Sequence, residues 1–309
     1  MIEVQNLTKR YGSSVAVDDL SFTVAAGRVT GFLGPNGSGK STTMRTIVGL
    51  DRPTAGVVRV NGRQYADSPA PLREVGALLG AKNVHPGRSA HDHLLYLARS
   101  NGISKRRVEE VLGLVGLESV ARKRAKTYSL GMGQRLGIAA ALLGDPGILI
   151  FDEPVNGLDP EGIVWVRNMF KAFAAEGRAV LVSSHLISEM ALAADHLVVI
   201  GRGRLIADSD VADFLQSASG DTVLIRTDNP AAVTREVVFR GGDVTEGPDG
   251  SILITGLQPV EIGQAAAASG SVLFELTPQR VSLEEAFMEL TADAVEFSAP
   301  SSATTGKVR

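Results

Sequence analysis

Gly34-Pro35-Asn36-Gly37-Ser38-Gly39-Lys40-Ser41-Thr42 constrains this chain more than any other stretch, because a glycine, four free positions and Gly-Lys-Ser make a loop that can close around phosphates. The glycines let the backbone fold tightly and aim its N–H groups inward, Lys40 reaches β/γ oxygens, and the Ser41 hydroxyl is placed to ligate Mg²⁺. Arg28 to Leu33 reads as a short strand running into the loop. Ser41 to Leu50 reads as a helix with Met44, Ile47 and Val48 on one face, so its N-terminus points at the anion. The expectation is a bound nucleoside triphosphate.

Length and composition narrow what surrounds this loop. A chain of 309 residues has room for one large domain and a smaller one, and 44% hydrophobic residues can supply a sizeable core. Lys and Arg total 31 against 34 Asp and Glu, a formal charge of -3, so no global basic field calls for nucleic acid. The absence of cysteine excludes disulfides, thiolate metal sites and a cysteine nucleophile. No apolar run approaches the roughly 18 residues needed to span a bilayer, and Met1 to Asn6 lacks the layout of a signal peptide. A membrane role is therefore expected to need a partner chain.

Ile2 and Val4, Phe22 and Val24, and Val57, Val58 and Val60 sit in short stretches bounded by Gly, Asn and Asp, which predicts an antiparallel β portion. From Ser89 to Leu143 apolar residues recur at helical spacing, as in Val108, Val111, Leu112 and Val115. Gly147–Phe151, Ala179–Val182 and His196–Ile200 are apolar runs alternating with helical segments, the pattern of a mainly parallel sheet buried on both faces. Residues 1–215 thus read as an α/β domain with a helical insertion at about 86–145. After the small, polar Gln216–Gly220, residues 221–291 follow the order β-α-β-β-α-β and a last helix, which predicts a small α+β, ferredoxin-like domain. Ser282 and Glu285 form a capping-box pattern at that helix, and residues 292–309 are expected to be a disordered tail.

Ile148-Leu-Ile-Phe-Asp-Glu-Pro154 adds an apolar strand ending in two carboxylates. Asp152 at the strand end can hold Mg²⁺ and Glu153 can polarise a water aimed at a γ-phosphate. With these motifs in place, Lys126-Thr-Tyr-Ser-Leu-Gly-Met-Gly-Gln-Arg135 resembles the signature segment of the ATP-binding cassette family, with Ser129 and Gly131 on its Ser and second Gly positions. Asn156-Gly-Leu-Asp159 resembles the D-loop of that family, Ser183-Ser-His185 its switch histidine, and Tyr11 the aromatic that stacks on adenine. Read alone, Ser129 could be a helix N-cap and Tyr11 a core aromatic.

The resemblance covers roughly residues 1–215 and implies a P-loop NTPase cassette that binds ATP with Mg²⁺. It further implies a contact of His185 with the γ-phosphate, and Ser129, Gly131 and Asp159 acting across a dimer interface, because the signature faces the phosphate loop of the opposing protomer. The implied protein is the ATPase subunit of a transporter: a homodimer, or a heterodimer with a related ATPase, held on the inner face of the cell membrane by a separate polytopic permease. The stretch from about Leu72 to Gly116 is the expected docking surface. The C-terminal unit resembles the tails of bacterial ATPases from multidrug and antibiotic exporters, which favours export and no nucleic acid partner. A soluble cassette ATPase acting on ribosomes or nucleic acid, and a weakly hydrolysing nucleotide sensor, are the alternative readings. Two positions depart from the family pattern: Leu130 replaces the first signature glycine, and Gly80 stands where most relatives carry the Q-loop glutamine, with Lys82 or Asn83 as possible substitutes.

Overall fold

A computed structural model describes residues 1–80, 84–184, 187–218, 222–279 and 282–291. His185, Lys82, Asn83 and the expected tail at 292–309 lie outside the described residues. Residue contacts divide the chain into one unit built on Met1–Asp210 and a second, Val211–Glu289.

The first unit opens with β1 (Ile2–Tyr11), β2 (Ser14–Val24), β3 (Val29–Leu33), α1 (Lys40–Ile47) and β4 (Ala55–Val60). β1 lies between β2 and β4 in a three-stranded antiparallel sheet, with Val4 opposite both Phe22 and Val58. This is the antiparallel portion expected from the sequence. α1 stops at Ile47, short of the expected Leu50. Gly49 takes φ 71°, Gly49 N–H bonds the Thr46 carbonyl and Leu50 N–H bonds the Arg45 carbonyl, a C-terminal cap that a glycine can form and a continuing helix cannot.

A short α2 (Pro71–Glu74) leads into β5 (Val75–Leu78), followed by the helices α3 (Ala90–Ser100), α4 (Lys105–Leu114) and α5 (Leu130–Leu142). Each of these three begins at a serine, Ser89, Ser104 or Ser129, whose hydroxyl accepts a backbone N–H of the first turn. The chain then runs through β6 (Ile148–Asp152), α6 (Pro160–Ala175), β7 (Ala179–Ser183), α7 (Ile187–Ala193), β8 (His196–Gly201) and β9 (Arg204–Asp210). Six of these strands form one sheet of order β5-β6-β7-β3-β8-β9, parallel except for β9. Every residue of β3, β7 and β8 is buried, as a parallel sheet covered on both faces requires. β5 and β9 are additions to the sequence reading. β5 has only four residues, and β9 is a polar edge strand returning through Arg202-Gly203, where both φ angles are positive, 47° and 80°.

Phe22 of the small sheet stacks on Phe32 of the large one at 5.2 Å, and Met44 and Ile47 of α1 join the same core. Register then fixes the chemistry: Phe32 pairs with Ser183 and Ser183 with Asp152, so three adjacent parallel strands end level. Their carboxyl ends share one edge of the sheet, where open α/β sheets present their ligand sites.

The second unit comprises α8 (Val211–Ala218), β10 (Val223–Thr227), α9 (Pro230–Phe239), β11 (Asp243–Glu246), β12 (Ile252–Thr255), α10 (Pro259–Ala268), β13 (Leu273–Pro278) and α11 (Leu283–Thr291). From β10 to β13 the elements follow the expected β-α-β-β-α-β order. The strands pair antiparallel in the order β11-β12-β10-β13, and Val223, Ile225, Ile252 and Ile254 pack with Val233, Val237 and Ile262 of the helices.

Candidate functional site

The loop from β3 to α1 is shaped by glycines at positions where a side chain has no room. A β-carbon on Gly34 would meet the Ile200 carbonyl, and one on Gly39, at φ 103°, would lie 2.5 Å from the Ala16 carbonyl. The resulting cavity, about 240 Å³, is lined by Ala16, the run Asn36 to Thr42, Asp152 and Glu153. The loop and both carboxylates, distant in sequence, therefore meet at one place.

Lys40 is only 7% exposed, and its Nζ donates to the Gly34 carbonyl at 2.6 Å and the Pro35 carbonyl at 3.1 Å. Burial lowers its pKa below the ordinary lysine value, while Glu153 and then Asp152 pull it back up. Ser41 Oγ donates to Asp152 Oδ2 at 2.7 Å, and Ser183 Oγ donates to Asp152 Oδ1 at 2.5 Å. Hard oxygen donors of this kind suit Mg²⁺, and Ser38 Oγ, buried in the loop without a hydrogen-bond partner in the structure, is a further polar atom for phosphate. Among the described residues no cluster of three or more His, Cys, Asp or Glu could hold a metal by itself.

Glu153 sits just past the end of β6 in left-handed backbone, φ 52°, a conformation that costs a side-chain-bearing residue about 1–2 kcal/mol. Ser183 receives the Glu153 N–H, and Gln134 Nε2 donates to the Glu153 carbonyl at 3.1 Å. Ser183 and Gln134 are the residues sequence reasoning missed. A serine ending an all-apolar strand was the available signal for the first. The second stood inside the signature segment without a role.

The remaining candidates lie apart from this cavity. Tyr11 is half exposed at the end of β1; its hydroxyl donates to Asp51 Oδ2 at 3.0 Å, and Lys9 Nζ stands 4.8 Å from the ring centroid. Burial and the Asp51 carboxylate raise its pKa. Ser129 caps α5 by accepting the Met132 N–H at 3.2 Å. With Leu130, it lines a second cavity of about 240 Å³ that also reaches Val84, Lys126 and Tyr128 and shares no residue with the first. Gly131 lies against Gly157 and Leu158, where a β-carbon would come 3.1 Å from the Gly157 carbonyl. Asp159 caps α6, its Oδ1 accepting the Gly162 N–H at 2.8 Å. The signature segment and the Asn156–Asp159 turn thus form one cluster, separate from the phosphate loop of the same chain. Gly80 follows the end of β5, beside the strand that carries Asp152, with φ 153°.

Comparison with known proteins places this geometry. A family described as ABC transporter matches residues 17–156, and a domain of unknown function matches residues 221–284. The uncharacterized ABC transporter ATP-binding protein YhcH of Bacillus subtilis (strain 168) is 37% identical, over 96% of this chain and 97% of its own. The bacitracin transport ATP-binding protein BcrA of Bacillus licheniformis is 35% identical, over 94% of this chain and 97% of its own. Among solved structures, a dimeric bacterial ABC transporter cassette superposes with a TM-score of 0.63 at 25% identity, covering 68% of this chain and 99% of its own.

Proposed function

The chain belongs to the ABC transporter family of ATP-binding proteins, as the ATP-binding and ATP-hydrolysing subunit, and from that premise we propose how its residues divide the work. Gly34 to Thr42 hold the triphosphate, with Lys40 on the β/γ oxygens. Ser41 and Asp152 would hold Mg²⁺, which when bound would neutralise charge on the phosphates. Glu153 orients and deprotonates the attacking water; His185 is assigned the γ-phosphate contact and Tyr11 the adenine face. The observation that carries this reading is the single cavity in which Lys40, the Ser41–Asp152 hydrogen bond and Glu153 converge.

Ser129, Gly131 and Asp159 act on ATP held by a second copy or a related ATPase, and their separation from the phosphate-loop cavity within one chain supports that assignment. Two chains joined head to tail then enclose two ATP molecules. Closure on ATP and loosening after hydrolysis drive a separate membrane permease. We place the chain on the inner face of the cell membrane through that permease; among the described residues no helix is long and apolar enough to cross a membrane. The name of the bacitracin relative, similar over 94% of this chain, favours an antibiotic or other small molecule as cargo, and we propose export. The β11-β12-β10-β13 order supports reading the second unit as a ferredoxin-like accessory domain.

Glu153→Gln tests the assignment. ATP binding and the ATP-bound dimer should persist, seen by gel filtration with ATP, while hydrolysis falls by roughly a hundredfold or more. Normal turnover would remove Glu153 from the role of base.

A further inference from the structure

Both peptide groups around Glu153 are tied. Its N–H donates to the Ser183 carbonyl at 3.3 Å and Ser183 Oγ at 3.0 Å, both on the neighbouring strand β7, and its carbonyl accepts from Gln134 Nε2 at 3.1 Å. The second tie comes from α5, whose N-cap is Ser129. Gln134 is 2% exposed, so no solvent competes for its amide; the Glu153 carbonyl also accepts the Asn156 N–H at 3.3 Å within the turn that follows β6, which leaves Gln134 as the donor that ties this carbonyl to α5. Glu153 is at φ 52°, where backbone without outside restraint relaxes to other regions. The restraints are therefore what hold the carboxylate's backbone in place.

Ser129 and Gln134 are five residues apart on one regular helix, so displacing its N-terminus displaces the amide. We propose that Gln134 is a positioning residue for ATP hydrolysis: through its bond to the Glu153 carbonyl, the signature helix of each chain holds that chain's own base in attack geometry. ATP seated against Ser129 in one site of the dimer thereby bears on hydrolysis in the other. The inference rests on the roles of Ser129 and Glu153 given above, and deepens them: the base of one site and the signature of the opposite site are bonded to each other inside a single chain.

Gln134→Met keeps length and approximate volume and deletes the donor. In the full chain assembled with its permease, kcat should fall roughly tenfold, the worth of one buried hydrogen bond, with the KM for ATP within about twofold. Gln134→Glu supplies a spectator-proof readout. Its carboxyl can donate to the Glu153 carbonyl only when protonated, and burial raises a carboxyl pKa, so its rate relative to the parent should climb as pH is lowered from about 8.5 to about 6.5. The Gln134→Met ratio should stay flat across the same range. Thermal midpoints and binding of a fluorescent ATP analogue are measured on all three proteins. Parent-like kcat in Gln134→Met, a KM that rises in step with the loss of kcat, or a flat profile for Gln134→Glu would each overturn the proposal. Absence of ATP turnover in the parent would instead overturn the hydrolytic reading on which it rests.

Discussion

The two cavities of the first unit have the same volume and opposite construction. Around the phosphate loop, polar groups are cross-tied: Lys40 to the loop carbonyls, Ser41 and Ser183 to the two oxygens of Asp152. At the signature, Ser129 satisfies one backbone N–H of its helix, and Leu130 beside it is 57% exposed. The first region is preorganised to stabilise charge that develops in a reaction, which is where a fixed network contributes most. The second is a helix N-terminus with one serine, a surface able to receive an anion and without machinery to act on it. A dimer that brings them together needs both, and the contrast says which changes abolish chemistry and which weaken assembly.

The sharpest test of the preorganised side is Asp152→Asn. The side-chain amide can accept from only one of the two hydroxyls, Ser41 or Ser183, and the negative charge proposed to hold Mg²⁺ is gone. Turnover should drop by roughly a hundredfold or more, about 3 kcal/mol of barrier, in a steady-state ATPase assay. The signature side should be untouched, so a variant that also loses its folded α5, seen by hydrogen exchange, would break the contrast.

On the other side Ser129→Ala should act by assembly. It removes the cap that receives the Met132 N–H, about 1 kcal/mol of stability, and with it the contact we propose to the partner's ATP. ATP should bind the isolated chain as before, measured by titration calorimetry, while the ATP needed to dimerise the Glu153→Gln background rises several-fold. Weaker ATP binding by the monomer would mean that the two cavities are not independent.

The sequence made these regions unequally legible. The phosphate loop and the Ile148–Glu153 strand carry their chemistry in contiguous residues with obligatory spacing, so local pattern sufficed, and the helical insertion and both antiparallel portions followed from periodicity. Gln134 and Ser183 were not legible, because their function is a hydrogen bond to the backbone of Glu153, made across 19 and 30 residues of chain. No local pattern encodes such a bond. β9 escaped for a different reason: a polar edge strand lacks the apolar alternation that marks a half-buried one, and only the Arg202-Gly203 turn announces the hairpin.

Gly80 bears on the contrast from the preorganised side, as a position after β5 with no side chain to tie. β5 pairs Leu78 with Phe151, so Gly80 follows two residues after the end of the strand that flanks β6. Its φ of 153° is one that β-carbon-bearing residues avoid. We propose that this glycine makes hydrolysis slower or less tightly coupled to the permease than in relatives that carry glutamine there. Gly80→Gln should then have two small and opposite effects. Forcing a side chain onto that backbone destabilises the unit by about 1–2 kcal/mol and lowers its thermal midpoint by a few degrees. A carboxamide beside the carboxylates should raise permease-stimulated hydrolysis by roughly twofold to fivefold, about 1 kcal/mol or less of barrier. The two are separable, since calorimetry of the chain alone reads the first and the ATPase rate of the assembled transporter reads the second. A variant with the parent's rate in the presence of the permease sinks the coupling argument, whatever the thermal midpoint does, and leaves Gly80 a purely conformational feature of the loop.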